Sequence, residues 1–151
     1  MYGYVRDVLA EKGNAVHTIP IGATVIEAVH QMNDHGIGAL VVLQDDDIAG
    51  IFTERDVLRR VVGAGRDADS TRVAEVMSYP VRTITPATRV AEAMDLITHH
   101  RCRHLPVMHE GEMVGMISIG DLLRKVTRTQ QENIEQMTEY ITGRNTSAEI
   151  R

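Results

Sequence analysis

Two short segments of the sequence place a hydroxyl side chain one helical turn before a carboxylate. Thr53 precedes Asp56 by three residues, and Ser118 precedes Asp121 by the same spacing, each pair directly after an apolar run. A hydroxyl at a strand-to-helix junction lies beside unpaired backbone N–H groups, which attract phosphate oxygens. The carboxylate accepts hydrogen bonds such as those that a ribose diol donates. The spacing is therefore compatible with nucleotide binding, but it is equally the pattern of a helix cap that needs no ligand.

Cations for a phosphate are available close to these segments in the sequence. Arg55 lies inside the first segment, and Arg82, Arg101, Arg103 and His104 come from the second half of the chain. Guanidinium groups match phosphate geometry well, although each of these residues could equally be a solvated surface cation. Arg103 and His104 are the strongest candidates because they directly precede an apolar run, whereas the corresponding first-half positions are glycine and alanine. We therefore expect two unequal sites.

The base of such a ligand would need an apolar surface. The five aromatic residues are scattered and form no stacking platform, so we expect aliphatic side chains to hold a base. Val16, Ile37, Ala39 and Val81 are the candidates, and ordinary core packing is the alternative for most of them.

An internal repeat organises the chain. Shifting the sequence by 65 positions aligns residues 16–60 with residues 81–125 without a gap, with about thirteen identities in about forty-five positions against roughly three expected by chance. The match extends upstream when three extra residues near Gly13 are allowed. Each copy therefore spans about sixty residues, and the two Thr/Ser-x-x-Asp segments occupy equivalent positions.

Each copy predicts the order β-α-β-β-α. A short extended piece (residues 16–19 or 81–84) precedes a helix, which Thr24 and Glu27 can cap in the first copy and which runs over about residues 88–100 in the second. Two apolar runs with a polar turn then predict a hairpin, followed by a second helix that starts at Thr53 or Ser118. One small sheet cannot bury both of its faces alone, so we expect an α+β fold in which the two units pack on each other with pseudo-twofold symmetry.

The remaining segments flank these units. We predict a first unit at residues 5–62, a small and polar linker at 63–72, and a second unit at 73–127. Residues 128–142 predict a C-terminal helix with an apolar stripe at Ile134, Met137 and Ile141, ended by Gly143, and we expect a frayed tail at 143–151. The stripe could cover the protein's own core or a partner chain.

This arrangement resembles the CBS (cystathionine β-synthase) domain family, in which tandem pairs form a Bateman module. The resemblance is carried by residues 36–42, 50–56, 101–107 and 115–121, and it covers roughly residues 5–127. It implies a stand-alone, bacterial-type regulatory module that binds an adenosine ligand between the units, AMP or ATP first and NAD(H) second. It also places phosphate contacts near Arg103 and His104 and lets the backbone near Thr18 and Thr83 read the adenine edge.

The resemblance further implies a sensor of energy or redox state that signals to an unidentified effector protein. A homodimer would form through two apolar helix stripes, which could instead face their own sheets: Val57, Leu58 and Val61 in the first unit, and Leu122, Leu123 and Val126 in the second. The alternative function is a ligand-free structural adaptor that binds a protein partner through its helices.

Composition excludes several other classes. A net charge of -5 argues against DNA as a partner, and the longest apolar run is far too short to span a bilayer. Cys102 is the only cysteine, so no internal disulfide can form, and a cytoplasmic location is expected. The histidines lack a metal-ligand pattern, and no nucleophile or phosphate-loop motif is present, so we expect neither a metal, nor a catalytic cofactor, nor enzyme activity.

Overall fold

A computed structural model describes the backbone of residues 2–149 and the side chains of residues 2–142. The first unit begins with helix α1 (Val5–Lys12) and continues with β1 (Thr18–Pro20), α2 (Val25–His35), β2 (Ala39–Gln44), β3 (Asp47–Thr53) and α3 (Glu54–Asp56). A π-helical segment, Val57–Val62, continues α3. The predicted cap of α2 is confirmed, because Thr24 Oγ1 accepts from the Glu27 N–H and the Glu27 carboxylate accepts from the Thr24 N–H.

The second unit repeats this order with one strand missing. It consists of α4 (Val73–Val76), α5 (Val90–His100), β4 (His104–His109), β5 (Glu112–Ser118) and α6 (Ile119–Glu149). In the first unit β1 pairs in parallel with β2, which pairs antiparallel with β3, whereas β4 and β5 form a two-stranded sheet. We predicted an extended piece at residues 81–84, but only a single bridge between Ile84 and Val107 forms there. The α+β class and both hairpins are confirmed.

The short helices that begin the units are exchanged between them. The buried side chains of α1 pack into the core of the second unit with Leu105, Ile117 and Leu122. Helix α4 instead packs into the core of the first unit with Leu40 and Phe52. Each exchanged helix also pairs by backbone hydrogen bonds with the start of the helix it covers, at Tyr4 with Arg89 and at Arg72 with Thr24. The two cores are thus built from both halves of the sequence.

Two glycines allow the exchanged segments to approach the hairpins closely. A Cβ on Gly50 would lie 2.5 Å from the Met77 sulfur, and one on Gly115 would lie 2.6 Å from a Leu9 methyl group. Both distances are too short for a real side chain. The repeated glycine therefore serves the packing of the exchanged segments.

Residues 63–72 link the units and pack against the start of α2. The Val25 N–H donates to the Thr71 carbonyl, the Ile26 N–H donates to the Ala68 carbonyl, and Thr71 is buried. The segment therefore fixes the path of the chain between the two units.

Helix α6 is longer than the sequence predicted. We expected separate helices before and after residue 128 and an end at Gly143, but one helix runs from Ile119 to Glu149. A glycine inside a helix costs only about 1 kcal/mol relative to alanine, which is not enough to end it. Of the tail predicted to fray, residues 143–149 are therefore helical, and residues 150–151 lie outside the described part of the chain. Among the described residues, no helix is both long and apolar enough to cross a bilayer.

Candidate functional site

A cavity of about 700 Å³ lies where the two units meet. Four segments form most of its wall, namely the start of α3, the start of α6, the loop before α5 and the loop between α5 and β4, and Gly38, Ile51 and Arg60 complete it. The lining residues are Gly38, Ile51, Thr53, Glu54, Arg55, Asp56, Arg60, Ser78, Tyr79, Pro80, Val81, Arg82, His100, Arg101, Cys102, Arg103, His104, Ser118, Ile119 and Gly120. The cavity therefore brings both Thr/Ser-x-x-Asp segments to one place.

Eight of the fourteen residues predicted as ligand contacts line this cavity. They are Thr53, Arg55, Asp56, Val81, Arg82, Arg103, His104 and Ser118. The other six, which the cavity lining does not include, are Val16, Thr18, Ile37, Ala39, Thr83 and Asp121. Ala39 is buried beside β3, and the Thr18 carbonyl already accepts a hydrogen bond from Gln31.

Several wall residues were not predicted from the sequence, and Tyr79 is the most informative of them. Its side chain is 70% exposed and lies at the cavity beside Pro80. We had expected aliphatic side chains alone to be available for a base, so this aromatic ring is an addition to the site. The signal in the sequence was the Tyr-Pro pair directly before the second extended piece.

The segment from Thr53 to Asp56 forms a complete capping box. The Asp56 N–H donates to Thr53 Oγ1, while Asp56 Oδ2 accepts from the Thr53 N–H at 3.0 Å. The other carboxylate oxygen accepts from Ser78 Oγ at 3.0 Å and lies 3.7 Å from Arg60 Nε. The capping role is therefore real, and the same carboxylate remains on the cavity wall.

The second carboxylate, Asp121, is held differently although its backbone geometry is equivalent. Ser118 and Asp121 form the same reciprocal pair of hydrogen bonds. Lys12 of α1 additionally donates to Asp121 Oδ2 at 2.7 Å, and Arg124 donates to Oδ1. Asp121 is thus satisfied by protein partners on both oxygens, and it is buried and not among the residues that line the cavity.

Most of the arginines around the cavity have no anionic partner. Of the five, only Arg60 is engaged, with the Met77 carbonyl and Asp56. The other four, Arg55, Arg82, Arg101 and Arg103, form no ion pair or side-chain hydrogen bond within the described part of the chain. Glu54 and Asp56 are the carboxylates on the same wall. The cavity therefore carries an excess of positive charge that can attract an anion.

Two residues of the cavity wall in the second half of the chain correspond to residues of a different kind of contact in the first half. Arg82 and His100 correspond to His17 and His35, whose rings stack with centroids 4.2 Å apart. The expected inequality of the two halves follows from this contact, together with the uncharged positions 38 and 39 and the Lys12 contact to Asp121.

Burial changes the titration of two groups in the cavity wall. It lowers the pKa of the His104 imidazole, while the nearby Asp121 charge acts in the opposite direction. Burial also raises the pKa of the Cys102 thiol, against the smaller effects of a backbone hydrogen bond and Arg82. At neutral pH His104 is therefore a hydrogen-bonding group more than a cation, and the thiol stays protonated.

Burial acts to raise the pKa of the Asp121 carboxyl. The hydrogen bonds from Lys12 and Ser118 outweigh that effect and hold the pKa below its ordinary value. Asp121 is consequently an anion throughout the physiological range. Within the described residues, no group of three or more His, Cys, Asp or Glu side chains is arranged to hold a metal ion.

Comparison with known proteins places the chain in a family. The profile described as CBS domain matches residues 5–63 and again residues 73–128. The chain belongs to the CBS domain family and contains a pair of these domains, a pairing characteristic of regulatory, signal-transduction proteins.

Three relatives illustrate the similarity. The chain is 38% identical over 148 residues to the CBS domain-containing protein CBSX3, mitochondrial, of Arabidopsis thaliana, covering 92% of this chain and 72% of that protein. A solved Burkholderia ambifaria structure, described as a signal-transduction protein with CBS domains, is 44% identical with a TM-score of 0.78, covering 82% of this chain and 93% of that one. A hexameric CBS-CP12 protein from bloom-forming cyanobacteria is 30% identical with a TM-score of 0.72, covering 80% and 69%.

Proposed function

We propose that the cavity binds an adenosine nucleotide, AMP or ATP before NAD(H), and that the domain pair regulates an effector protein by reporting this occupancy. The observation that carries the proposal is the group of four unpaired arginines around a cavity that also offers apolar and aromatic surface. Such a combination suits a ligand with an anionic end and a flat uncharged end. A nucleotide has this chemistry.

The phosphate would lie against the arginine loops. Arg101 and Arg103 flank Cys102 on the loop before β4, and Arg82 approaches from the loop before α5. Guanidinium groups bind phosphate oxygens in pairs of hydrogen bonds, and among the described side chains no carboxylate forms an ion pair with these three. The first residues of α6, Ile119 and Gly120, also line the cavity, where the positive end of the helix dipole favours an anion.

The base and the ribose would use the other wall. Tyr79 with Pro80 and Val81 supplies an exposed aromatic ring and aliphatic surface for stacking a base. Asp56 is the carboxylate we assign to the ribose, because it lies on the wall and one of its oxygens is shared only with Ser78 and a distant Arg60. Asp121 could take this role only if Lys12 moved away.

Two measurements test the binding proposal. Small molecules released from the purified protein by denaturation are identified by mass, and thermal unfolding is followed with added AMP, ATP and NAD⁺. A ligand at a hundredfold excess over its dissociation constant stabilises the folded form by about 2.7 kcal/mol, which corresponds to a rise of about 5–10 °C in Tm for a chain of this size. No shift with any of the three at millimolar concentration would contradict the proposal.

Matched arginine variants locate the site. Arg101→Ala combined with Arg103→Ala should weaken binding by at least about tenfold, because each phosphate contact by a charged group contributes on the order of 1.5 kcal/mol or more. Arg89→Ala removes an exposed arginine outside the cavity and should bind like the parent. Equal weakening by both changes would indicate a nonspecific charge effect.

The ligand-free adaptor remains the second candidate, and exposed apolar side chains favour it. Leu58, Val62 and Leu123 are each about half exposed or more on the helices of the two units. We propose a homodimer through this surface on either hypothesis, although Val61 and Leu122, which we had grouped with them, are buried in their own cores. An assembly that forms without any nucleotide effect would favour the adaptor. The cytoplasmic location and the identity of the effector stay predictions.

A further inference from the structure

The C-terminal part of α6 carries an apolar stripe that the domain pair leaves uncovered. Ile134, Met137 and Ile141 are 59%, 67% and 57% exposed, and Tyr140 beside them is 62% exposed. None of these four belongs to either hydrophobic core. The helix thus presents several large apolar side chains within two turns, and water contacts them in the isolated chain.

The stripe follows a seven-residue repeat. With Ile134 at heptad position a, the a positions are Thr127, Ile134 and Ile141, and the d positions are Leu123, Gln130 and Met137. Ile134 and Ile141 at a are β-branched, and Leu123 and Met137 at d are not, which is the distribution that favours two parallel strands in a coiled coil. The other two positions, Thr127 at a and Gln130 at d, are polar. The repeat spans residues 123–141, a length of about 27 Å along the helix.

Charge on the helix is placed away from the stripe. Residues 128–142 carry three carboxylates, Glu132, Glu135 and Glu139, which fall at heptad positions f, b and f. The flanking e and g positions of residues 123–141 are Arg124, Val126, Gln131, Asn133, Thr138 and Tyr140, and only Arg124, which pairs with Asp121 of its own helix, is charged. Two copies of this face can therefore approach each other with little like-charge repulsion, and from residue 131 to residue 141 the face offers no charged flank that would select a partner of opposite sign.

We infer that residues 123–141 of α6 form a parallel, two-stranded coiled coil with the same segment of a second copy of this chain. This inference is independent of nucleotide binding. The interface joins the two copies in register, because this alignment places polar Thr127 and Gln130 opposite their own counterparts and the apolar residues opposite each other.

Self-association of the full-length chain tests the inference. Sedimentation equilibrium compares the parent with Ile134→Lys combined with Met137→Lys, and with Glu135→Lys combined with Glu139→Lys as the control on the opposite face. We expect the stripe variant to raise the dimer dissociation constant at least tenfold while the control stays within about threefold of the parent. A parent that is monomeric at 50 µM, or two double variants with the same constant, would overturn the inference. Lysine is a good helix former, and circular dichroism confirms that both variants keep their helix.

Cysteine cross-linking provides a second measurement that does not depend on destabilising the dimer. In a full-length Cys102→Ser background, Met137→Cys places a thiol at a d position and Glu135→Cys places one at a b position. Oxidation should yield a disulfide-linked dimer at least ten times faster from Met137→Cys, because in-register d residues face each other across the two strands. Equal rates of disulfide formation at positions 135 and 137 would refute the parallel coiled coil. A dimer that forms only through other surfaces of the domain pair would give such equal rates.

Discussion

The contact between Lys12 and Asp121 gives the sharpest test of how the two halves are held together. Lys12→Met removes the ammonium group and keeps most of the apolar stem. It deletes two hydrogen bonds of 2.7 Å, one to Asp121 and one to the Met116 carbonyl. A hydrogen bond to a charged group contributes about 1.5–3 kcal/mol, but Arg124 and Ser118 still serve the carboxylate, so we expect a loss of about 2 kcal/mol in the free energy of unfolding.

Lys125 supplies a matched control, because it also forms an ion pair between α1 and α6. It joins α6 to α1 through Glu11 at 3.2 Å, but Glu11 is partly exposed and also pairs with Arg128. Exposed ion pairs contribute about 0.2–1 kcal/mol, so Lys125→Met should lose about 0.5 kcal/mol. Urea unfolding at pH 7, followed by circular dichroism, measures both variants against the parent.

The pH dependence of the Lys12→Met effect has a defined sign. The folded-state pKa of Asp121 lies below its ordinary value, so its stabilising contribution is present above the unfolded carboxyl pKa of about 3.9 and is lost as the pH falls through the folded value. The deficit of the variant should therefore be constant between pH 7 and pH 5 and shrink below about pH 4. A deficit that grows in acid, or equal losses for the two lysine variants, would refute this account of the contact.

Three further predictions concern the cavity wall. Asp56→Ala, which removes a capping box and the Ser78 contact, should lose about 2 kcal/mol in urea unfolding, whereas the exposed neighbour change Glu54→Ala should lose less than about 0.5 kcal/mol. Because the protein has no tryptophan, tyrosine dominates its near-ultraviolet emission, and Tyr79→Leu should abolish a nucleotide-dependent change in that emission; an unchanged response would remove Tyr79 from the site. The His104 imidazole should titrate below pH 6.5 by NMR, and the midpoint of this titration should rise when AMP binds through its phosphate. The affinity for AMP should therefore increase as the pH falls from 8 to 6. A titration midpoint that AMP does not change would place His104 away from the phosphate.

Local patterns in the sequence predicted the local structure well. The apolar spacing and the Thr24 cap identified α2, and the paired apolar runs identified both hairpins. These features depend on contacts between residues a few positions apart, which a single sequence displays directly. The predicted end of α6 at Gly143 was wrong. A single glycine was taken as a helix terminator, although a long continuous helix precedes it.

Long-range placement was the part that the sequence could not supply. Nothing in the pattern of residues 5–12 indicates which core they cover, since an amphipathic helix fits either one. The same limit applies to Asp121, whose Lys12 partner lies 109 positions away. The arginines at 101 and 103 were visible as charges, but their position opposite Thr53 and Asp56 depends on how the units meet.

The exchange of α1 and α4 also decides how the molecule comes apart. Each half of the sequence contributes one helix to the hydrophobic core of the other half. We therefore expect that neither half unfolds while the other stays folded. Calorimetry should accordingly register a single cooperative transition, and halves separated by cleavage between residues 63 and 72 should remain interlocked until denatured. We therefore expect a movement of one domain against the other to disturb the packing of both cores, because each core contains a helix from the other half of the sequence.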